Sequence, residues 1–296
     1  MSDSRKEEVG FDRFYAFDST TISLFSQVMQ GVGRNRKDDG RRKGGLKVHM
    51  LTDIHSDSAK FVKISEAKSH DKNFLQDHVL PHGSMIVFDK AYNHYFQFVQ
   101  WTKEEVNFVC RLKDNAVYEL HDVIFEQELP KNQAGVLKEE HIHLKYAAEK
   151  RAKKDKTLCL RKVTYRDEKG RIYWFITNNW EITGEEVSLM YRYRWTIELV
   201  FKKLKQNFQL HFFYSESENG IKTQIWVTLI EHLLLTVLKR LSKSEKAFSI
   251  IAALVRIHFI SHLCLYWVIE NGGRSYNKRA RSRNKVPDDV QLLLFD

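Results

Sequence analysis

The sequence predicts an α/β protein with a mixed central sheet, an antiparallel β insertion and C-terminal helices. Three observations support this class. Strand-like apolar runs alternate with two helix-like segments over residues 11–113. Four alternating segments separated by charged turns follow over residues 114–179. Long apolar segments interrupted by charged residues come after residue 214 and predict buried helices better than membrane spans.

The first of these regions predicts five strands and two helices. In chain order they are a strand at 13–25, a strand pair at 46–54 and 59–67 around the turn 55–58, a helix at 70–80, a strand ending at Asp89, a helix at 94–105 and a strand at 107–113. A basic, glycine-rich loop at 31–45 follows the first strand, and it is a candidate to track a DNA backbone or an ordinary mobile loop. Together with a late helix, this is the element order of a ribonuclease H-like core, which we expect here.

We expect this organisation to divide the chain into five segments. They are 11–113, the first part of the ribonuclease H-like core; 114–179, the β-rich insertion; 180–214, the late helix that completes the core; 215–272, the C-terminal helices; and 273–296, a flexible basic tail.

Composition indicates the class of partner and the compartment. Lys and Arg number 48 against 38 acids, a formal net charge of +10, which favours polyanionic partners and nucleic acid first. The three cysteines are widely spaced and form no CxxC pair, which argues against a disulfide framework and for a reducing compartment. The first residues lack the apolar stretch of a signal peptide. We therefore expect a soluble, cytoplasmic protein with no membrane partner.

The segment "YRYRWTIELVFKKLK", residues 191–205, has the pattern of an amphipathic helix. Tyr191, Arg194, Glu198 and Lys205 lie at offsets 0, 3, 7 and 14, which places them within roughly 60° of arc on one helix face. The opposite face is apolar. An ordinary solvated face remains an alternative, because Arg194 and Glu198 have the i, i+4 spacing of a helical ion pair.

Three carboxylates occupy positions that would converge in such a core. Asp18 lies in the first predicted strand, Asp89 ends the fourth, and Glu198 is on the late helix. Close carboxylates repel one another unless cations neutralise them, and hard oxygen ligands suit Mg²⁺ or Mn²⁺. Two such ions suit phosphodiester chemistry. The alternative is that each is an ordinary strand-end or surface acid.

These residues carry a resemblance to a known family. "FDSTTISL", "VFDKAY" and "YRYRWTIELVFKKLK" resemble the corresponding motifs of bacterial DDE transposases of the insertion-sequence-four family. That family's late-helix signature is Tyr, two residues, Arg, three residues, Glu, six residues, Lys, and this chain matches it without a gap. Further similarity in "KVHMLTD", "KSHD", "WFITNN" and "FFYSESENGIKTQIW" extends the resemblance over roughly residues 11–241.

The resemblance implies a reaction and a role for each matching residue. Asp18, Asp89 and Glu198 would hold two Mg²⁺ (or Mn²⁺) ions for cut-and-paste transposition, which is cleavage at the element ends followed by strand transfer into target DNA. Arg194 and Lys205 would contact phosphates, and Tyr191 would give a phosphate hydrogen bond. The family resemblance also implies a homodimer assembled on DNA and association with the nucleoid.

A tryptophan of the insertion is a further candidate. Some relatives stack such a residue on a flipped base while they form a hairpin intermediate. Trp174 in "YWFITNN" occupies the matching position. Packing of Trp174 within the insertion is an equal alternative.

Two departures from the family pattern affect the interpretation. "DKAY" stands where the family usually has "DRGY", so Ala91 replaces a glycine and the turn could differ. Only 17 residues precede Asp18, where family members carry a helical DNA-binding domain, so we expect an N-terminally shortened chain. An inactive remnant that only binds DNA is therefore the alternative function. A different ribonuclease H-like nuclease, such as a junction resolvase, is a third hypothesis against which the late-helix signature argues.

Two short motifs outside this constellation suggest binding sites. "HIH" puts His141 and His143 on one strand face, as in a zinc site, but no third ligand is near in the sequence and a solvated strand face is favoured. The terminal "QLLLFD" resembles the peptide by which bacterial replication and repair proteins bind the sliding clamp. The alternative is that this peptide folds back onto the protein's own helices. Its matching residues are Gln291, Leu292, Leu294 and Phe295.

Overall fold

The described residues of the computed structural model are 10–23, 45–67, 74–75, 79–130, 133–147, 155–208, 213–261 and 263–272. The chain divides into two compact units. The first is Met1–Phe201 with Glu216–Glu218, and the second is Lys202–Ser215 with Asn219–Asp296. The predicted tail 273–296, most of the basic loop at 31–45 and most of the predicted helix at 70–80 lie outside the described residues.

The described part of the first unit contains a single nine-stranded sheet. The strands are β1 Phe14–Ser23, β2 Gly45–Asp53, β3 Ser58–Glu66, β4 Met85–Phe88, β5 Asn107–Arg111, β6 Tyr118–Glu126, β7 Gly135–Ala147, β8 Asp155–Arg166 and β9 Ile172–Thr177. Their order across the sheet is β3-β2-β1-β4-β5-β9-β8-β7-β6. β4 pairs in parallel with β1 and β5, and the other pairings are antiparallel. The predicted mixed α/β class is therefore confirmed.

The β insertion continues the central sheet instead of forming a separate one. β9 pairs antiparallel with β5, and Val109 lies opposite Thr177. β8, β7 and β6 then follow as antiparallel neighbours. The four strands predicted for this region are all present, but one hydrogen-bonded ladder crosses the predicted boundary at residue 113. The five-segment division itself stays a prediction.

An aromatic core lies beneath the parallel strands. Helix α1 (Tyr95–Lys103) connects β4 to β5, a crossover that parallel strands require. Phe98 and Trp101 of this helix are almost completely buried. The Phe98 ring lies 4.4 Å from the Phe108 ring of β5. The helix thus covers the face of β4 and β5 on which Phe88 and Phe108 lie.

We expect Phe98→Ala to lower the free energy of unfolding by about 3–5 kcal/mol, because it removes a buried ring and leaves a cavity among aromatic neighbours. Phe96 provides a matched control on the same helix, since its side chain is 47% exposed. Phe96→Ala should change stability by less than about 1 kcal/mol. Urea unfolding of both variants measures the difference, and equal losses would contradict the assignment of Phe98 to the core.

Six α-helices lie within the described residues. After α1 they are α2 Gly184–Tyr193, α3 Trp195–Asn207, α4 Glu218–Leu241, α5 Phe248–His258 and α6 Leu265–Asn271. In the second unit, the Phe248 ring lies 4.9 Å from the His232 ring of α4, and Arg256 donates to the Asn207 carbonyl at 2.7 Å. α4 buries a stripe at helical spacing that includes Ile221, Ile225 and Leu235. By length and composition α4 alone among the described helices could span a bilayer, a property it shares with core helices of soluble proteins.

Candidate active site

Asp18 and Asp89 lie side by side on adjacent parallel strands. The register pairs Phe17 of β1 with Phe88, the last residue of β4. Each aspartate directly follows one of these fully buried phenylalanines. Because side chains alternate along a strand, Asp18 points away from the face on which Phe17 packs. The two aspartates therefore meet at one edge of the parallel core.

Backbone N–H groups fix both carboxylates. Asp18 Oδ1 accepts from the Ser19 N–H at 2.7 Å. Asp89 caps a 3₁₀ turn, Lys90–Tyr92, and its Oδ1 accepts from the Ala91 N–H at 3.0 Å. Ala91 is not among the described residues with a positive φ. The turn after Asp89 thus accepts alanine without backbone strain, so the departure from "DRGY" does not disturb the position of Asp89.

Arg194 joins the third carboxylate to the first. Its Nη1 donates to Asp18 Oδ2 at 3.0 Å and lies 2.8 Å from Glu198 Oε1. Both carboxylate oxygens contact the same arginine nitrogen, so the distance between the two oxygens is less than the sum of these two contact distances. The Arg194 guanidinium also lies over the rings of Tyr191 and Trp195, at 5.6 and 5.1 Å from their centroids. The structure thus brings β1 and α3 together through a buried cation.

The expectation of one continuous helix over residues 191–205 is wrong. α2 ends at Tyr193 and α3 begins at Trp195. At the junction Arg194 keeps helical angles (φ −53°, ψ −31°), but its N–H bonds the Tyr191 carbonyl three residues back. The Thr196 hydroxyl donates to the Tyr193 carbonyl at 2.7 Å and so competes with the normal helical ladder.

Tyr191 contacts the second aspartate from a buried position. Its side chain packs against Phe175 of β9, with 4.8 Å between ring centroids. Its hydroxyl donates to Asp89 Oδ2 across a long 3.4 Å. Burial raises the Tyr191 pKa above its usual range, so the hydroxyl keeps its proton at neutral pH. Tyr191 thus acts as a donor to Asp89 in this structure, on the side away from solvent.

The Asp18 carboxyl group is strongly perturbed by its surroundings. Its pKa is raised to about 6, mainly by burial, with smaller contributions in the same direction from the Glu198 and Asp89 carboxylates. The Ser19 N–H and the Arg194 guanidinium oppose this shift. Clustered carboxylates with a raised pKa are typical of a functional site, because an ordinary surface acid has no such neighbours.

A cleft of about 470 Å³ opens beside Arg194 and extends to the hairpin between β8 and β9. The sequence did not predict this cleft, because its lining residues come from distant parts of the chain. The charged hairpin "RDEKGR" (166–171) was the one sequence feature that could have indicated it. Trp195, exposed at 56%, is on its wall. The cations that line it are Arg111, Lys169, Arg171, Arg192 and Arg194. Arg171 is ion-paired with Asp167 at 2.6 Å and Arg194 is paired with Asp18 and Glu198, so Arg111, Lys169 and Arg192 supply most of the available positive charge.

The other predicted site residues are Trp174, Lys205 and the terminal peptide. Trp174 is 42% exposed and faces the side of β9 opposite Phe175, where it lines a different cleft with Lys162 and Arg166. Lys205 is exposed in the last turn of α3, within the second unit. The terminal residues Gln291, Leu292, Leu294 and Phe295 lie outside the described residues.

Comparison with known proteins gives relatives of one kind. A "Putative transposase y4zB" of Sinorhizobium fredii is 25% identical over 211 residues, covering 70% of this chain and 57% of the relative. The "Probable transposase for insertion sequence element IS5377" of Geobacillus stearothermophilus is 25% identical over 254 residues, covering 84% and 63%. The "Transposase for insertion sequence element IS231C" of Bacillus thuringiensis is 23% identical over 267 residues, covering 74% and 55%. The chain thus spans between 55% and 63% of the length of these curated relatives.

A family model described as "Transposase DDE domain" matches residues 10–234. This range contains β1 to β9, the two aspartates and the helix that carries Glu198. It covers well over half of the chain. The chain therefore belongs to the DDE transposase domain family.

Proposed function

We propose that this chain is the catalytic core of a DNA transposase of the insertion-sequence-four type, which cleaves element ends and transfers them to target DNA by a cut-and-paste route. The observation that carries the proposal is that the register of β1 and β4 sets Asp18 beside Asp89, while Arg194 joins Asp18 to Glu198. The order β3-β2-β1-β4-β5, in which β2 alone runs against the other four, supports a ribonuclease H-like core.

The carboxylate group fits divalent cations. Burial is the main cause of the raised pKa of Asp18, the Glu198 and Asp89 carboxylates add to it, and a buried arginine balances part of their negative charge. All three side chains offer hard carboxylate oxygens, which Mg²⁺ and Mn²⁺ prefer. Asp18, Asp89 and Glu198 would hold two such ions. When bound, the ions would activate the attacking hydroxyl and stabilise the leaving oxygen of the phosphodiester.

The chain's own side chains would position these ligands and the DNA. Arg194 holds Asp18 and Glu198 at a fixed separation, which supports a positioning role in addition to the predicted phosphate contact. Tyr191 restrains Asp89 through its hydroxyl. The basic cleft would hold the phosphate backbone next to the carboxylates. Lys205 would add a phosphate contact from the end of α3.

The partners follow from this reaction. We propose that the chain binds element ends and target DNA as a homodimer assembled on DNA, in the nucleoid. Base stacking by Trp174 and clamp binding by the terminal peptide remain parts of the proposal. Because Trp174 faces away from Phe175, base stacking would require the DNA to pass over the opposite face of β9.

The test is DNA cleavage by the full chain on a duplex that carries the inverted repeats flanking its gene. We expect nicking at the repeat ends with Mg²⁺ or Mn²⁺ and none with EDTA. Joining of a pre-cut end to plasmid DNA should follow. Tight DNA binding without either product would overturn the proposal and support the alternative, an inactive remnant that only binds DNA.

For DNA binding, we expect Lys205→Ala to weaken affinity and to reduce the slope of log K against log[salt] by about 0.9, the loss of one phosphate contact. Lys60 provides a control, since it lies on edge strand β3 and is paired with Asp53 at 3.5 Å. Lys60→Ala should leave the slope unchanged. Fluorescence anisotropy at several salt concentrations measures both. An unchanged slope for Lys205→Ala would make Lys205 an ordinary surface cation.

A further inference from the structure

A group of histidine and cysteine side chains lies on one face of the β insertion. The register places His143 of β7 directly opposite Cys159 of β8. His141 is two residues from His143 on the same strand, so its side chain projects from the same face. The metal-binding atoms of His141, His143 and Cys159 all lie within 4.8 Å of one another. The third ligand that the sequence did not reveal is therefore supplied by strand pairing.

A third imidazole joins this group from β6. His121 lies where the register between β6 and β7 shifts, between Leu120 and Asp122. Its ring centroid is 4.7 Å from that of His141 and 4.9 Å from that of His143. A bulge of this kind redirects a side chain that regular pairing would point elsewhere. Three adjacent strands thus contribute to one cluster.

The environment of His141 favours a bound cation over an ordinary solvated strand face. Its Nε2 is buried and has no hydrogen-bond partner among the described residues. A buried polar atom without a partner destabilises the folded protein. A bound cation would supply the partner that His141 Nε2 lacks.

Neighbouring groups leave the cluster available to a ligand. Arg161 lies opposite His141, but its guanidinium donates to Glu139 and to the Ile182 carbonyl. Trp180 covers His141 edge-on, with 4.9 Å between ring centroids. Cys159 is exposed and is a free thiol. The cluster is thus partly shielded by Trp180 and is open to solvent at Cys159.

We infer that His141, His143 and Cys159 form a zinc site that clamps β7 to β8, with His121 of β6 as the fourth ligand. Imidazole and thiolate in a set of four are the ligands of structural zinc. Tetrahedral zinc needs donor atoms about 3.3–3.8 Å apart, so the donor atoms of His141, His143 and Cys159, now within 4.8 Å of one another, would move closer together on binding. On binding, the Cys159 thiol releases its proton to solvent and each of the three imidazole rings donates a nitrogen lone pair.

This site is distinct from the carboxylate group in position and in chemistry. It lies on β6, β7 and β8, whereas Asp18 and Asp89 lie on β1 and after β4. It offers nitrogen and sulfur donors, where the carboxylates offer oxygen. A zinc ion here would hold the exposed edge strand β6 to the sheet. The inference does not depend on the proposed reaction.

The test uses Co²⁺ as a spectroscopic substitute for zinc in the full chain. We expect one equivalent of Co²⁺ to give a thiolate-to-cobalt charge-transfer band that Zn²⁺ abolishes. Cys159→Ser should lose the band, and Cys264→Ser, its matched control, should keep it. His141→Asn and His143→Asn should weaken binding by more than the roughly 10–100-fold that the loss of an outer-sphere partner costs. Glu198→Gln should keep the band, because the carboxylates carry no sulfur.

A second measurement needs no variant and therefore no assumption about folding. Zn²⁺ should slow the alkylation of Cys159 in the protein without substitutions and leave the alkylation rate of Cys264 unchanged. Peptide mass mapping measures both rates. Either of two results would overturn the inference. One is the absence of a charge-transfer band at stoichiometric Co²⁺ together with unprotected Cys159. The other is a band that persists in Cys159→Ser.

Discussion

Glu198→Gln is expected to reduce metal-dependent DNA cleavage by at least about 10²–10³-fold, because a carboxylate ligand supplies several kcal/mol of charge stabilisation to a phosphodiester reaction. The substitution keeps the shape of the side chain and removes its charge. Asp18→Asn and Asp89→Asn should cause losses of the same order. Nicking of a labelled duplex, followed in single-turnover conditions with Mg²⁺ or Mn²⁺, measures all three.

Glu185 provides the control for this series. It is an exposed acid in the first turn of α2, close in sequence to Glu198 but outside the carboxylate group. Glu185→Gln should cleave at the parental rate. DNA affinity should be kept in all four variants, which separates chemistry from binding. Parental activity in Glu198→Gln would remove that residue from the reaction.

Local patterns were sufficient to predict most strands of the sheet. β2 and β3 alternate in side-chain character and are joined by a short turn in which Asp57 takes a left-handed φ of 51°. The apolar runs of β4 and β5 are interior strands of the sheet, and helix α1 packs on them through Trp101 against Phe88 and Phe98 against Phe108. Each of these patterns depends on residues close together in the chain, and such local patterns predict local structure without knowledge of the tertiary fold.

Long-range pairing was beyond the reach of the sequence. No pattern in β9 indicates that it pairs with β5 and fuses the insertion to the central sheet. For the same reason the sequence favoured a solvated strand face over a zinc site for "HIH". Cys159 is remote from His143 in the chain, and only the antiparallel register of β7 and β8 makes it a neighbour.

The late helix shows what a helix-face pattern leaves open. The spacing correctly groups Tyr191, Arg194 and Glu198, and the apolar face with Ile197 and Val200 is buried as expected. The pattern gives no sign that Phe175 of β9 packs on Tyr191, or that Asp18 binds Arg194. Two residues of this polar face, Tyr191 and Arg194, are in fact buried, whereas Glu198 is partly exposed and Lys205 is exposed. Helical periodicity identifies which residues lie on the same face of a helix. Tertiary packing determines which other parts of the protein contact that face.

Arg194→Ala is expected to lower the free energy of unfolding by about 3 kcal/mol, because loss of one partner from a buried pair leaves the others unbalanced. The estimate lies at the lower end of the range for buried pairs, since the Glu198 side chain keeps 37% exposure and is partly screened by solvent. Asp18 is more enclosed, at 17% side-chain exposure. Most of the cost therefore arises at Asp18. Urea unfolding in EDTA measures it.

Arg192 supplies the matched control for this variant. It is an exposed arginine on α2, two residues away, with no ion pair within 4.0 Å among the described residues. Arg192→Ala should change the free energy of unfolding by no more than about 0.5 kcal/mol.

A positioning role for Arg194 also predicts a response to Mg²⁺ that a packing role does not predict. Mg²⁺ should stabilise Arg194→Ala more than it stabilises the parent, because a divalent cation bound only to the folded state replaces the lost positive charge between Asp18 and Glu198. If Mg²⁺ raises the stability of both proteins equally, the guanidinium serves packing alone and the carboxylates do not depend on it for their approach.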